Sequence, residues 1–147
     1  MTGYKAYQGN QIEGAGPLGL VILSYDALNR ALGRARLAIE AGDLSQEGEH
    51  TGRAVEALIE LSTSLNMEEG GEVAARLSRL YEYMINRLME KMCSGTSEAV
   101  DEVSTLSHTL REGWQALADQ QSKKPASQIT RPQVSANMQQ PAMAYGL

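Results

Sequence analysis

Cys93 is the only cysteine among 147 residues, so no internal disulfide can form, and no Cys/His spacing resembles a zinc site. The fold must rest on its apolar core, and a reducing cytoplasm is the expected setting. No apolar run approaches the roughly 20 residues that span a bilayer, and the opening MTGYKAYQGNQIEGAGP lacks the apolar centre of a secretory signal, which argues against stable membrane insertion. Basic residues are outnumbered 13 to 18 and nowhere cluster among aromatics, so nucleic acid is not an expected partner. Phenylalanine is missing altogether, whereas methionine occurs seven times. That balance favours an adaptable apolar surface over a rigid aromatic core.

What is present is helical periodicity. From Leu18 to Ala41 the residues Val21, Tyr25, Leu28, Leu32, Ala35 and Ile39 step by three and four, with Pro17 suited to the first turn and Gly42 to the stop. Asp43 or Ser45 then offers a cap for a second helix marked by Val55, Leu58, Ile59 and Leu65. A third carries Val73, Leu77, Leu80, Tyr81, Met84, Leu88 and Met92 and ends near Ser94-Gly95. After the cap candidates Thr96 and Ser97, a fourth runs through Val100, Val103, Leu106, Leu110, Trp114 and Leu117. Short turns between such helices force reversal, so the expected fold is all-α, an antiparallel up-down-up-down four-helix bundle over residues 17–119. Residues 1–16 form a flexible leader, and 120–147, rich in Gln, Ser, Ala and Pro, is expected to be a disordered tail. The pair Gly70-Gly71 is expected in the turn before the third helix, bringing the second and third helices together.

No catalytic, cofactor or metal site emerges. Glu47-Gly48-Glu49-His50 has the E-x-x-H spacing of di-metal bundles, but Thr105 stands where a second such motif would need its glutamate before His108. His108-Thr109-Leu110-Arg111-Glu112-Gly113 loosely matches the H-x-x-K-G signature of histidine phosphotransfer bundles, which makes phosphotransfer through His108 the alternative function. Gly113 comes one residue late for that signature, a rotation of about 100° around the helix. Cys93, at a helix C-terminus, sits at the wrong end of the dipole for a thiolate and is expected to be a small packing residue.

Three stretches resemble the FliS family of flagellin export chaperones. The first is AGPLGLVILSYDALNRALGRARLAIEAGD (15–43), with its Tyr25-Asp26 pair; the second is EEGGEVAARLSRLYEYMINRLMEK (68–91), with Gly-Gly-Glu followed by Leu-x-x-Leu-Tyr-x-Tyr-Met; the third is VDEVSTLSHTLREGWQAL (100–117). Together the resemblance covers roughly residues 3 to 119. Gly16 departs from the Ser or Thr that the family usually has before the proline, and Gly113 from its frequent alanine.

The resemblance implies a cytoplasmic, non-enzymatic chaperone that binds the C-terminal segment of flagellin, prevents premature polymerisation and assists presentation to a flagellar export gate component of the type III secretion system. It also implies that the leader lies over part of the binding surface when flagellin is absent. Tyr4 and Tyr7 match the family's N-terminal aromatic region, so both are expected in the flagellin site. Tyr81, Tyr83 and Met84 are further candidates. Residues 81 and 84 share the face of Leu77 and Leu88 and fit the bundle core equally well, whereas Tyr83 points elsewhere. Either a monomer or a homodimer fits these features.

Overall fold

The computed structural model describes the backbone of residues 2–123 and 141–146, with side chains from residue 16 to 122 and again from 141 to 146. The described residues form α1 (Thr2–Glu40), α2 (Leu44–Thr63), α3 (Met67–Glu90) and α4 (Glu98–Lys123), with no strand among them. Helix α1 packs on α2 and α4, α2 on α3, and α3 on α4. That is the ring of neighbours that three chain reversals produce.

The periodic apolar positions supply the core. Leu28, Leu32 and Ala35 of α1 meet Ala54 and Leu58 of α2, Leu88 of α3 and Val103 of α4 in one buried cluster. Each reversal has a local chemical cause. Gly42, at φ 71, lets the Asp43 N–H reach the Ala38 carbonyl at 2.9 Å and its own N–H reach Ile39, closing α1. The Asp43 carboxylate then accepts from the Gln46 N–H at 3.1 Å and opens α2. Asn66 opens α3 in the same way through the Glu69 N–H. At α4, Ser97 occupies the cap position but donates its hydroxyl to Asp101.

Helix α1 begins before the expected Pro17. Backbone from Thr2 is already helical, and the break falls at Gly16, whose φ of 73 is a glycine conformation. A glycine where a capping Ser or Thr was expected therefore serves this break.

Two expectations are corrected. Gly70 and Gly71 lie within α3 and not in the α2–α3 turn, and Gly71 interrupts the helix at φ 50, ψ −125. The close approach that Gly70 permits is not to α2: a Cβ there would stand 2.6 Å from the Ala144 Cα. Cys93, expected to be a small packing residue, is exposed in the α3–α4 connection at φ 59, with its sulfur against Gly48 and the Leu44 carbonyl of α2. The buried residue beside that connection is Glu47 of α2, whose carboxylate accepts from the Gly95 N–H at 3.2 Å.

The disordered tail expected over 120–147 is narrowed by its last described part. Residues 120–123 continue α4, and 141–146 form a short helical turn against the bundle, with Ala142 and Ala144 buried. Composition gave no sign of this because the segment carries few branched apolar residues. Two alanines and a tyrosine suffice here because Gly70 leaves space for their backbone.

Candidate functional site

Between the first half of α3 and the second half of α4 lies an apolar cleft of about 420 Å³. Val73 and Leu77 line it from α3, Leu110, Trp114 and Leu117 from α4, and Pro141 from the C-terminal segment. The same 3.6-residue period that builds the core places these side chains together. The cleft exists because α3 and α4 are the least closely packed of the neighbouring helices. Gly113, beside Trp114, adds no side chain to its wall.

A chain of phenols meets the cleft wall at Trp114. The Tyr25 hydroxyl of α1 and the Tyr81 hydroxyl of α3 are 2.5 Å apart, and Tyr81 is 2.6 Å from the Tyr145 hydroxyl. Tyr145 also meets Trp114 edge-on, with ring centroids 5.5 Å apart. Burial pushes all three phenols above the ordinary tyrosine range, and for Tyr81 the neighbouring phenols add to the effect. They are neutral hydrogen-bonding groups throughout the physiological range.

The sequence-predicted residues fall in three places. Tyr81 and Met84 are wholly buried and do not line the cleft; Tyr81 is linked to it only through Tyr145, which packs on Trp114. Tyr83 is 46% exposed on the opposite side of α3 and donates its hydroxyl to Glu102 of α4. Arg87 Nε donates to the same carboxylate at 2.7 Å. Together the Tyr83 hydroxyl and the Arg87 guanidinium hold the Glu102 carboxyl below its usual range. Tyr4 and Tyr7 sit on the leading part of α1, and their side chains lie outside the described residues.

Sequence reasoning placed Val73, Leu77, Leu110, Trp114 and Leu117 in the bundle pattern without separating cleft from core. The separating signal was the small residue pair Gly113 and Ala116 flanking Trp114, which thins one wall. Tyr25 was read as a core position only, and Tyr145 carried no signal at all.

The phosphotransfer candidate His108 lies outside the cleft. His108 is exposed beside Asp26, Asn29, Arg30 and Arg111, and the Arg111 guanidinium donates to Asp26 at 2.6 Å, tying α4 to α1. Its neighbouring cation is thus engaged in an interhelical bridge. His50 pairs with Gln46, and no group of His, Cys, Asp and Glu among the described residues is placed to hold a metal. None of the described helices is long and apolar enough to cross a membrane. The cleft is suited to burying an apolar segment, not to transforming a substrate.

Comparison with known proteins follows the same line. The family model described as flagellar protein FliS matches residues 1–121. The chain is similar to the flagellar secretion chaperone FliS of Salmonella typhimurium, with 36% identity over 122 residues that cover 80% of this chain and 90% of that protein. Flagellar secretion chaperone FliSB of Pseudomonas aeruginosa is also 36% identical over 122 residues, covering 80% of this chain and 97% of its own length. For flagellar secretion chaperone FliS of Vibrio cholerae the identity is 25% over 121 residues, with 82% and 88% covered. The matched family region ends before Pro141, so the segment resting on Gly70 and Tyr81 lies beyond it.

Proposed function

This chain belongs to the FliS family of flagellar proteins, and on that premise we propose that it is a flagellar secretion chaperone, not an enzyme, that binds the C-terminal segment of flagellin in the cytosol. Binding one client to one chaperone would bury the client's apolar face and so withhold it from polymerisation until the export gate receives it. The observation that carries this reading is the α3–α4 cleft of about 420 Å³, which is lined mainly by apolar side chains among the described residues, whereas the α1–α2 groove is bordered by charged ones. An amphipathic helix laid into such a groove presents anchors at helical spacing to Val73, Leu77, Leu110 and Leu117.

The five tyrosine and methionine positions divide under this proposal. Tyr4 and Tyr7, on the leading part of α1, act as aromatic contacts at the client surface. Tyr81 and Met84 shape the cleft from beneath, since both are buried. Tyr83 contributes an exposed ring beside Glu102 of α4, outside the cleft lining.

Titration calorimetry of the full chain with the C-terminal segment of flagellin from the same cell tests the proposal. Saturable one-to-one binding with a negative heat-capacity change is expected, weakened when Tyr4 and Tyr7 are both changed to alanine. Absence of heat at micromolar concentrations of both components would reject flagellin as the client.

A further inference from the structure

We infer that residues 141–146 occupy part of the client's own binding site, so that tail and client compete for the α3–α4 cleft; this rests on the reading of the chain as a flagellin chaperone. The segment is continuous with the cleft, because Pro141 forms one of its walls and Tyr145 packs against Trp114, which forms another. Its seat is shaped for a polypeptide backbone. Gly70 has no side chain where Ala144 passes, and a Cβ at residue 70 would approach the Ala144 Cα to 2.6 Å and its nitrogen to 3.2 Å. The Asn66 N–H, at the N-cap of α3, donates to the Ala144 carbonyl at 2.5 Å. Ala142 and Ala144 are buried to within 1% of completely, and the Tyr145 hydroxyl completes the phenol chain at Tyr81.

These features define what the seat accepts: small residues two positions apart, a carbonyl for Asn66, and an aromatic or apolar ring over Trp114. A client segment with that chemistry gains the same donor, the same backbone gap and the apolar cleft beyond. The tail's hold is short, six described residues with one backbone and one side-chain hydrogen bond into the bundle. A longer client that also fills the open cleft therefore displaces it, and its apparent affinity is reduced by the fraction of time the tail is seated. Because the segment lies outside the family match at residues 1–121, this competition belongs to this chain and is not carried by the shared bundle.

The test uses the full chain and its Ala144→Glu variant, in which a carboxylate cannot enter the seat that alanine fills completely. Tyr145→Ala serves as a second variant that loosens the tail without adding charge. Each is titrated with the C-terminal segment of flagellin, and a synthetic peptide of residues 139–147 is then added as competitor. Seating of that peptide on Ala144→Glu is followed separately by the fluorescence of Trp114, the single tryptophan. Both variants are expected to bind the client more tightly, roughly tenfold if the tail fills its seat nine-tenths of the time, and the peptide is expected to reverse the gain. Equal client affinity for all three chains, with peptide and client bound together, overturns the competition and leaves the chaperone reading intact. Peptide seating with no client binding to any of the three chains rejects the chaperone reading, and the competition falls with it.

Discussion

Among the grooves that the described residues form, two of nearly equal size have contrasting linings. The one between α1 and α2, about 450 Å³, is bordered by Arg30, Arg34, Arg53, Glu56 and Glu60, whose long side chains stay solvated over a packed interior. The one between α3 and α4, about 420 Å³, is bordered by leucine, valine and tryptophan. Beneath the first, Leu28, Leu32, Ala54 and Leu58 are almost completely buried. Along the second, Val73 and Leu110 are partly covered, while Leu77, Trp114 and Leu117 are buried. Volume alone does not distinguish a partner site; the difference lies in which groove leaves its apolar surface uncovered. Under the proposed function recognition falls to the apolar groove, while the packed core spans all four helices.

That contrast can be broken most forcefully at Leu58. Leu58→Ala opens a cavity in the packed core and is expected to lower unfolding stability by about 3 kcal/mol, read as a reduced urea midpoint at unchanged slope. Leu110→Ala is expected to cost much less stability while weakening the client isotherm. The reverse pattern would place recognition away from the apolar groove. A smaller effect is expected at Gly71, where any side chain must adopt φ 50, ψ −125. Gly71→Val should destabilise by about 2 kcal/mol through backbone strain, and a melt left unchanged beside lost client binding would show that Gly71 contacts the client directly.

The smallest expected effect sharpens the boundary between core and cleft, where Tyr25, Tyr81 and Tyr145 meet. Burial raises all three phenols in the folded state, so their contribution is complete below the unfolded value of about pH 10 and is lost as pH rises through the folded values. Tyr81→Phe removes the central hydroxyl and should cost about 1 kcal/mol at neutral pH while flattening the alkaline loss of stability. Urea melts across the alkaline range check both, and an unchanged alkaline slope would separate the phenol chain from folding.

The helices were legible because their evidence is local and periodic. Leu28, Leu32, Leu58 and Leu88 declare a buried face by spacing alone, and Asp43 declares a helix start by its side chain. Tyr81 and Met84 fitted core and groove equally from sequence, since one helical face serves both until the neighbour's distance is known. What stayed hidden depends on residues far apart in the chain. Gly70 points to a close contact, but the partner expected from sequence, α2, is the wrong one, because Ala144 lies in a stretch whose composition predicts no packing. Glu47 read as one member of an E-x-x-H motif, and its actual partner, the Gly95 N–H, is supplied by a connection 48 residues away.

The Glu47 contact anchors one end of the α3–α4 pair. It ties the connection between those helices to α2, while the cleft lies at the opposite end, where α3 begins and α4 finishes. With 24 residues in α3, the anchored connection and the cleft are separated by most of a helix about 36 Å long. A buried carboxylate thus fixes the end of the pair that the cleft does not use.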